Sequence, residues 1–157
     1  MLPFSRHFVL VLWTALLAAG CSSPAVGPIA TSGEAGPTGS PGDAVNGCHP
    51  FATPSDFASG STITFAYPHF TPQCLVVSPG ATVTFDGTAS GGFYKHPLHA
   101  GPAPELPATP VALASTTPIA ETLTGTTATF TFPQPGVYAY YCESHHGAGM
   151  YGAILVK

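Results

Sequence analysis

Near the C-terminus, the run Tyr140-Tyr141-Cys142-Glu143-Ser144-His145-His146-Gly147-Ala148-Gly149-Met150 places a thiol, an imidazole and a thioether at the spacing Cys-x2-His-x4-Met. Read singly, a histidine or methionine here would be structural. The joint spacing puts three soft or borderline metal donors on one short loop, which calls for a fourth donor from elsewhere in the chain. The candidate is His96, in Phe93-Tyr94-Lys95-His96-Pro97-Leu98-His99, with His99 as its competitor. On an extended segment, residues three apart point to opposite faces, so only one of the two imidazoles serves a single ion.

Two histidines and a cysteine with a weak axial methionine form the ligand set of a blue-copper electron-transfer site. Other uses of the same residues fail on specific grounds. An oxygen-reducing multicopper site needs histidines on both sides of the cysteine, whereas Cys142 is flanked by Tyr141 and Glu143. A binuclear copper centre needs two cysteines on this loop, and there is one. A Cys142–His145 hydrolase lacks an orienting carboxylate and an oxyanion-hole motif, and it leaves Met150 without a role. The expectation is a copper-binding protein that is not an enzyme. His146, His49 and His69 read as surface or hydrogen-bonded histidines.

Such a loop must be held between strands, and the chain supplies them. Segments 61–67, 74–77, 81–85, 121–123, 127–132, 137–141 and 152–156 are short, rich in β-branched and aromatic residues, and separated by Pro or Gly. Thr82-Val83-Thr84-Phe85 and Thr129-Phe130-Thr131-Phe132 alternate polar with apolar, the signature of sheets with one face buried. This predicts an all-β, Greek-key β-sandwich over residues 47–157. Residues 101–118, with five prolines, read as a long surface loop. No helical period is sustained and no internal repeat is evident.

The N-terminal third is different. Residues 1–20 combine a weakly positive start at Arg6 with a short apolar run and small residues before Cys21, which reads as a lipoprotein signal peptide with Cys21 as the lipidated residue. Residues 21–46 are a Ser/Pro/Gly-rich tether with too little apolar surface to repay ordering. With Cys21 and Cys142 assigned, Cys48 and Cys74 remain, and export favours a disulfide between them. Closing that loop contributes about 3 kcal/mol on the chain-entropy model. A zinc site from Cys48, His49, His69 and Cys74 is the weaker alternative, because adjacent Cys-His gives poor tetrahedral geometry. The only basic residues are Arg6, Lys95 and Lys157, which excludes nucleic acid as a partner. The acids Asp56, Asp86, Glu105, Glu121 and Glu143 are scattered along the chain, within a net charge of -4.

From about residue 62 to residue 156 the chain resembles a plastocyanin-type cupredoxin. Val76-Val77-Ser78-Pro79-Gly80-Ala81-Thr82-Val83-Thr84-Phe85 is similar to that family's second and third strands, and residues 136–150 to its closing strand and ligand loop. The resemblance implies an eight-stranded sandwich and one type 1 copper held by His96, Cys142, His145 and Met150, with His96 preferred over His99 by its place after the Phe85 strand. It implies a one-electron carrier cycling between Cu(I) and Cu(II), with an exported copper-delivery or copper-storage module as the alternative. It further implies an electron-transfer surface of His145, Leu98, Ala148 and Tyr141, in which Pro97, Leu98, Gly147, Ala148 and Pro102 form an apolar rim around His145.

Two departures bear on the metal. The family carries Asn after its first histidine ligand, where this chain has Pro97, and often Pro two residues after the cysteine, where this chain has Ser144. Pro97 has no N–H to offer the thiolate, so Ser144 is expected to supply it. The remaining expectations are a monomer on a membrane lipid anchor, periplasmic or at the cell surface, meeting redox partner proteins.

Overall fold

The computed structural model describes residues 36–52 and 57–157. The signal peptide and Cys21 lie outside the described residues, as does most of the tether. Among the described residues, nine strands form two sheets: β1 (Ala58–Ser59), β2 (Thr62–Ala66), β3 (His69–Thr71), β4 (Cys74–Val77), β5 (Ala81–Asp86), β6 (Leu98–Ala100), β7 (Thr127–Phe132), β8 (Gly136–Cys142) and β9 (Tyr151–Val156). One sheet has the order β1-β4-β9-β8-β6 and the other β3-β2-β5-β7.

The alternation in sequence becomes alternation in space. Ile63, Phe65, Val83 and Phe85 turn inward from the four-stranded sheet and meet Leu75, Tyr138, Tyr140 and Ile154 from the other. On the outer face the threonines pair across strands, Thr82 with Thr131 at 3.0 Å and Thr84 with Thr129 at 3.3 Å. Burying one face and hydrating the other is what fixes register in a two-layer sandwich.

Four details differ from the sequence expectation. Among the described residues there are nine short strands rather than the eight the resemblance implies, and β1 and β3 are too brief to show periodicity in sequence. The strand expected at 121–123 shrinks to a single bridge, Thr122 against Leu98. Strand β6 was not foreseen, since a three-residue run beside Pro97 carries no pattern. Finally, the folded part begins before residue 47. Val45 and Asn46 are each 2% exposed, so the expected tether ends short of its expected boundary.

The reason is a second apolar layer. Val137, Ala139, Ala153 and Leu155 face away from the sandwich, and Val45, Cys48, Phe57 and Val111 cover them. Asn46 fastens this cover. Its side-chain amide donates to Tyr140 O at 2.8 Å and Gly152 O at 3.0 Å, and its carbonyl oxygen accepts from Ala103 N at 2.9 Å. A φ of +48° there suits asparagine, which tolerates the left-handed region. The Cys48–Cys74 disulfide ties the same segment to β4, which also removes both cysteines from any zinc site. Residues 101–118 carry no strand or helix, as expected.

Candidate metal centre

The centre lies where β8 ends and the ligand loop turns back into β9. Cys142 is the last residue of β8 and points inward with Tyr140 and Tyr138, two and four residues earlier. A 3-10 turn at His146–Ala148 then reverses the chain. The loop closes on itself through Cys142 N to Met150 O at 2.9 Å and Met150 N to His145 O at 3.2 Å. A cysteine, a histidine three residues on and a methionine five beyond it are thereby drawn to one end of the sandwich. The Met150 side chain is fully buried in the core cluster that contains Cys142.

His96 arrives from the preceding turn. Its N–H bonds to Gly92 O at 3.1 Å. Gly92 has φ +68°, and a Cβ there would stand 2.2 Å from Gly125 O, so only glycine permits this turn. Pro97 O then accepts the Glu143 N–H at 2.9 Å, which clamps the His96 segment to the ligand loop.

The donor atoms converge. His96 Nδ1 lies 3.1 Å from His145 Nδ1, which lies 3.4 Å from Cys142 Sγ. The three donors all fall within 4.8 Å of one another. Two imidazole nitrogens, a thiol sulfur and a nearby buried thioether, with no carboxylate among them, fit a soft-to-borderline ion such as copper. Burial lowers the His96 pKa, with His145 and Lys95 acting in the same direction, which favours the neutral form of the ring that a metal requires. Burial pushes the Cys142 thiol up, while the backbone N–H groups of Ser144 and His145 act in the opposite direction. The His145 N–H donates to the Cys142 carbonyl at 3.2 Å, and the Ser144 N–H acts on the sulfur in the direction that favours its charged form.

Of the expected site residues, His96, Cys142 and His145 bring their donor atoms together, and Met150 is buried on the same loop, its carbonyl accepting the Cys142 N–H. His99 does not join them. It sits on β6 opposite Tyr141, its ring stacked on that tyrosine at 5.5 Å with Nε2 3.4 Å from Glu121. His146 pairs with Glu105 and meets the edge of Tyr141. Leu98 is not part of any surface: it is fully buried, because β6 pairs with β8 and turns that side chain into the core. Ala148 is exposed and Tyr141 half-buried.

Two features were missed. Tyr67, from the turn between β2 and β3, packs edge-on against His145 with ring centroids 5.1 Å apart. Three of the five acids are not scattered in space, since Glu143, Glu105 and Glu121 all bear on Tyr141 and raise its pKa after burial has done so. Nothing in linear spacing links positions 105, 121 and 143.

A family model described as copper binding proteins of the plastocyanin/azurin family matches residues 65–157. Plastocyanin from Prochlorothrix hollandica is 35% identical over 94 residues, covering 57% of this chain and 64% of that protein's length. Among solved structures, a pseudoazurin from Sinorhizobium meliloti is 27% identical, with a TM-score of 0.44 over 64% of this chain and 75% of the other. A mutant fern plastocyanin is 21% identical, with a TM-score of 0.42 over 62% of this chain and all of the other. The family match spans more than half of the chain and takes in every donor of the cluster, and the chain therefore belongs to the plastocyanin/azurin family of copper-binding proteins.

Proposed function

We propose that this protein carries single electrons at one type 1 copper ion held by His96, Cys142, His145 and Met150, and catalyses no reaction of its own. The observation that carries this reading is the convergence of two imidazole nitrogens and one thiol sulfur within 4.8 Å at the end of a rigid sandwich. When bound, copper supplies a Cu(I)/Cu(II) couple whose two states tolerate one soft, compact ligand set. The chain's part is to hold those donors still. Cys142 is fixed by the β8–β9 pairing, His96 by the Gly92 turn, and His145 and Met150 by the closed loop. Donors that do not move between oxidation states keep the reorganisation cost of transfer low. Partner proteins would approach at the half-buried His145 edge, beside exposed Gly147 and Ala148, or at Tyr141.

The test is to add Cu(II) to the full chain and record the intense visible absorption of a copper–thiolate bond. Cys142→Ser should abolish that band while circular dichroism still reports the β-sandwich. A blue Cys142→Ser protein would refute the assignment.

We further infer that the protein is exported and lipidated at Cys21, acting as a monomer near a membrane surface. Support for this is the apolar run and small residues ahead of Cys21, and a disulfide suited to an oxidising compartment.

A further inference from the structure

We propose that Tyr67 is a positioning residue for His145, taking the place of the hydrogen bond that would otherwise fix a ligand imidazole; this rests on the copper assignment above. A metal-binding histidine ordinarily donates its second ring N–H to a carboxylate or carbonyl, which sets the ring's orientation. Among the described residues no hydrogen bond reaches His145 Nε2, while Nδ1 faces His96 and Cys142 at 3.1 and 3.4 Å. His145 is also the most exposed member of the cluster. Its ring is instead held between two others, His96 with centroids 4.9 Å away and Tyr67 at 5.1 Å and 72°.

Tyr67 has no other evident task. It is 65% exposed, and its hydroxyl makes no hydrogen bond among the described residues. A large aromatic left in water at a turn forgoes burial, and an edge-on ring contact is the gain it makes in return. Because Tyr67 comes from the β2–β3 turn, the contact braces the ligand loop against the opposite sheet. The ring also walls a cleft of about 600 Å³ shared with Lys95, Ser144 and His145, so its removal would open the side of His145 to water.

An aromatic contact of this kind changes an equilibrium by about two- to tenfold. Tyr67→Phe keeps the ring, Tyr67→Leu keeps apolar bulk without it, and Tyr67→Ala removes both. In the metal-free full chain, the His145 side-chain scalar couplings should move toward rotamer-averaged values and its ring lines broaden in the Leu and Ala variants but not in Phe, a change that loss of the tyrosine ring current does not itself produce. In the copper-loaded protein reduced to Cu(I), transfer of the ion to bicinchoninate should be about two- to tenfold faster in Leu and Ala, and near wild type in Phe. A Tyr67→Leu protein matching wild type in both measurements overturns the proposal. If the wild-type chain takes up no copper, the copper reading fails by itself, while the resonances of the metal-free chain still decide whether Tyr67 orients His145.

Discussion

At the scale of residues, the thiolate's surroundings follow from two substitutions. Pro97 cannot donate to sulfur, and its carbonyl instead receives the Glu143 N–H at 2.9 Å. The backbone N–H groups of Ser144 and His145 favour a charged sulfur, and the His145 N–H is engaged by the Cys142 carbonyl. A donor aimed at sulfur withdraws electron density and favours Cu(I), which raises the potential. Ser144→Pro removes one donor and should lower the potential by on the order of 40 mV for a differential of about 1 kcal/mol, given about 59 mV per tenfold change. Ser144→Ala keeps the N–H and should leave the potential in place. Voltammetry showing no change in Ser144→Pro, with the visible band intact, would show that the Ser144 N–H does not tune the thiolate's electron density. His99 stands apart from this chemistry: stacked on Tyr141, it reports on the acidic face rather than on the metal.

At the scale of elements, the ligand loop depends on β8 and β9, and those strands depend on a segment that composition alone assigns to a tether. Asn46 satisfies the carbonyls of Tyr140 and Gly152 and the N–H of Ala103 from a position that is itself 2% exposed. Replacing it with alanine leaves buried polar groups without partners, at about 1–3 kcal/mol for such a loss. Asn46→Ala should therefore lower the urea midpoint with an unchanged slope. An unaltered midpoint would show that residues 43–48 lie on the sandwich without supporting it. The copper band should persist in this variant under folding conditions, since Asn46 touches none of the proposed ligands.

At the scale of the molecule, charge and attachment are arranged unevenly. Glu105, Glu121 and Glu143 gather at Tyr141, while Lys95 lines the cleft beside His145, so the two approaches to the centre differ in sign. If Cys21 carries a lipid, the full chain should sediment with membranes and Cys21→Ser should release it. Wild type recovered wholly in the soluble fraction would remove the anchor from the account. The sequence by itself determined the sheet class, the Cys48–Cys74 pair and the Cys142, His145, Met150 loop, because alternation and ligand spacing are local and survive being read along a line. It narrowed the remote imidazole to His96 or His99 on the same grounds. Tertiary structure alone decided what depends on distant segments meeting: the burial of Leu98 against β8, the acidic face, the Asn46 cover and the Tyr67 contact with His145. Each joins positions whose separation obeys no period, because they are set by which strands pair and which loops fold back over them.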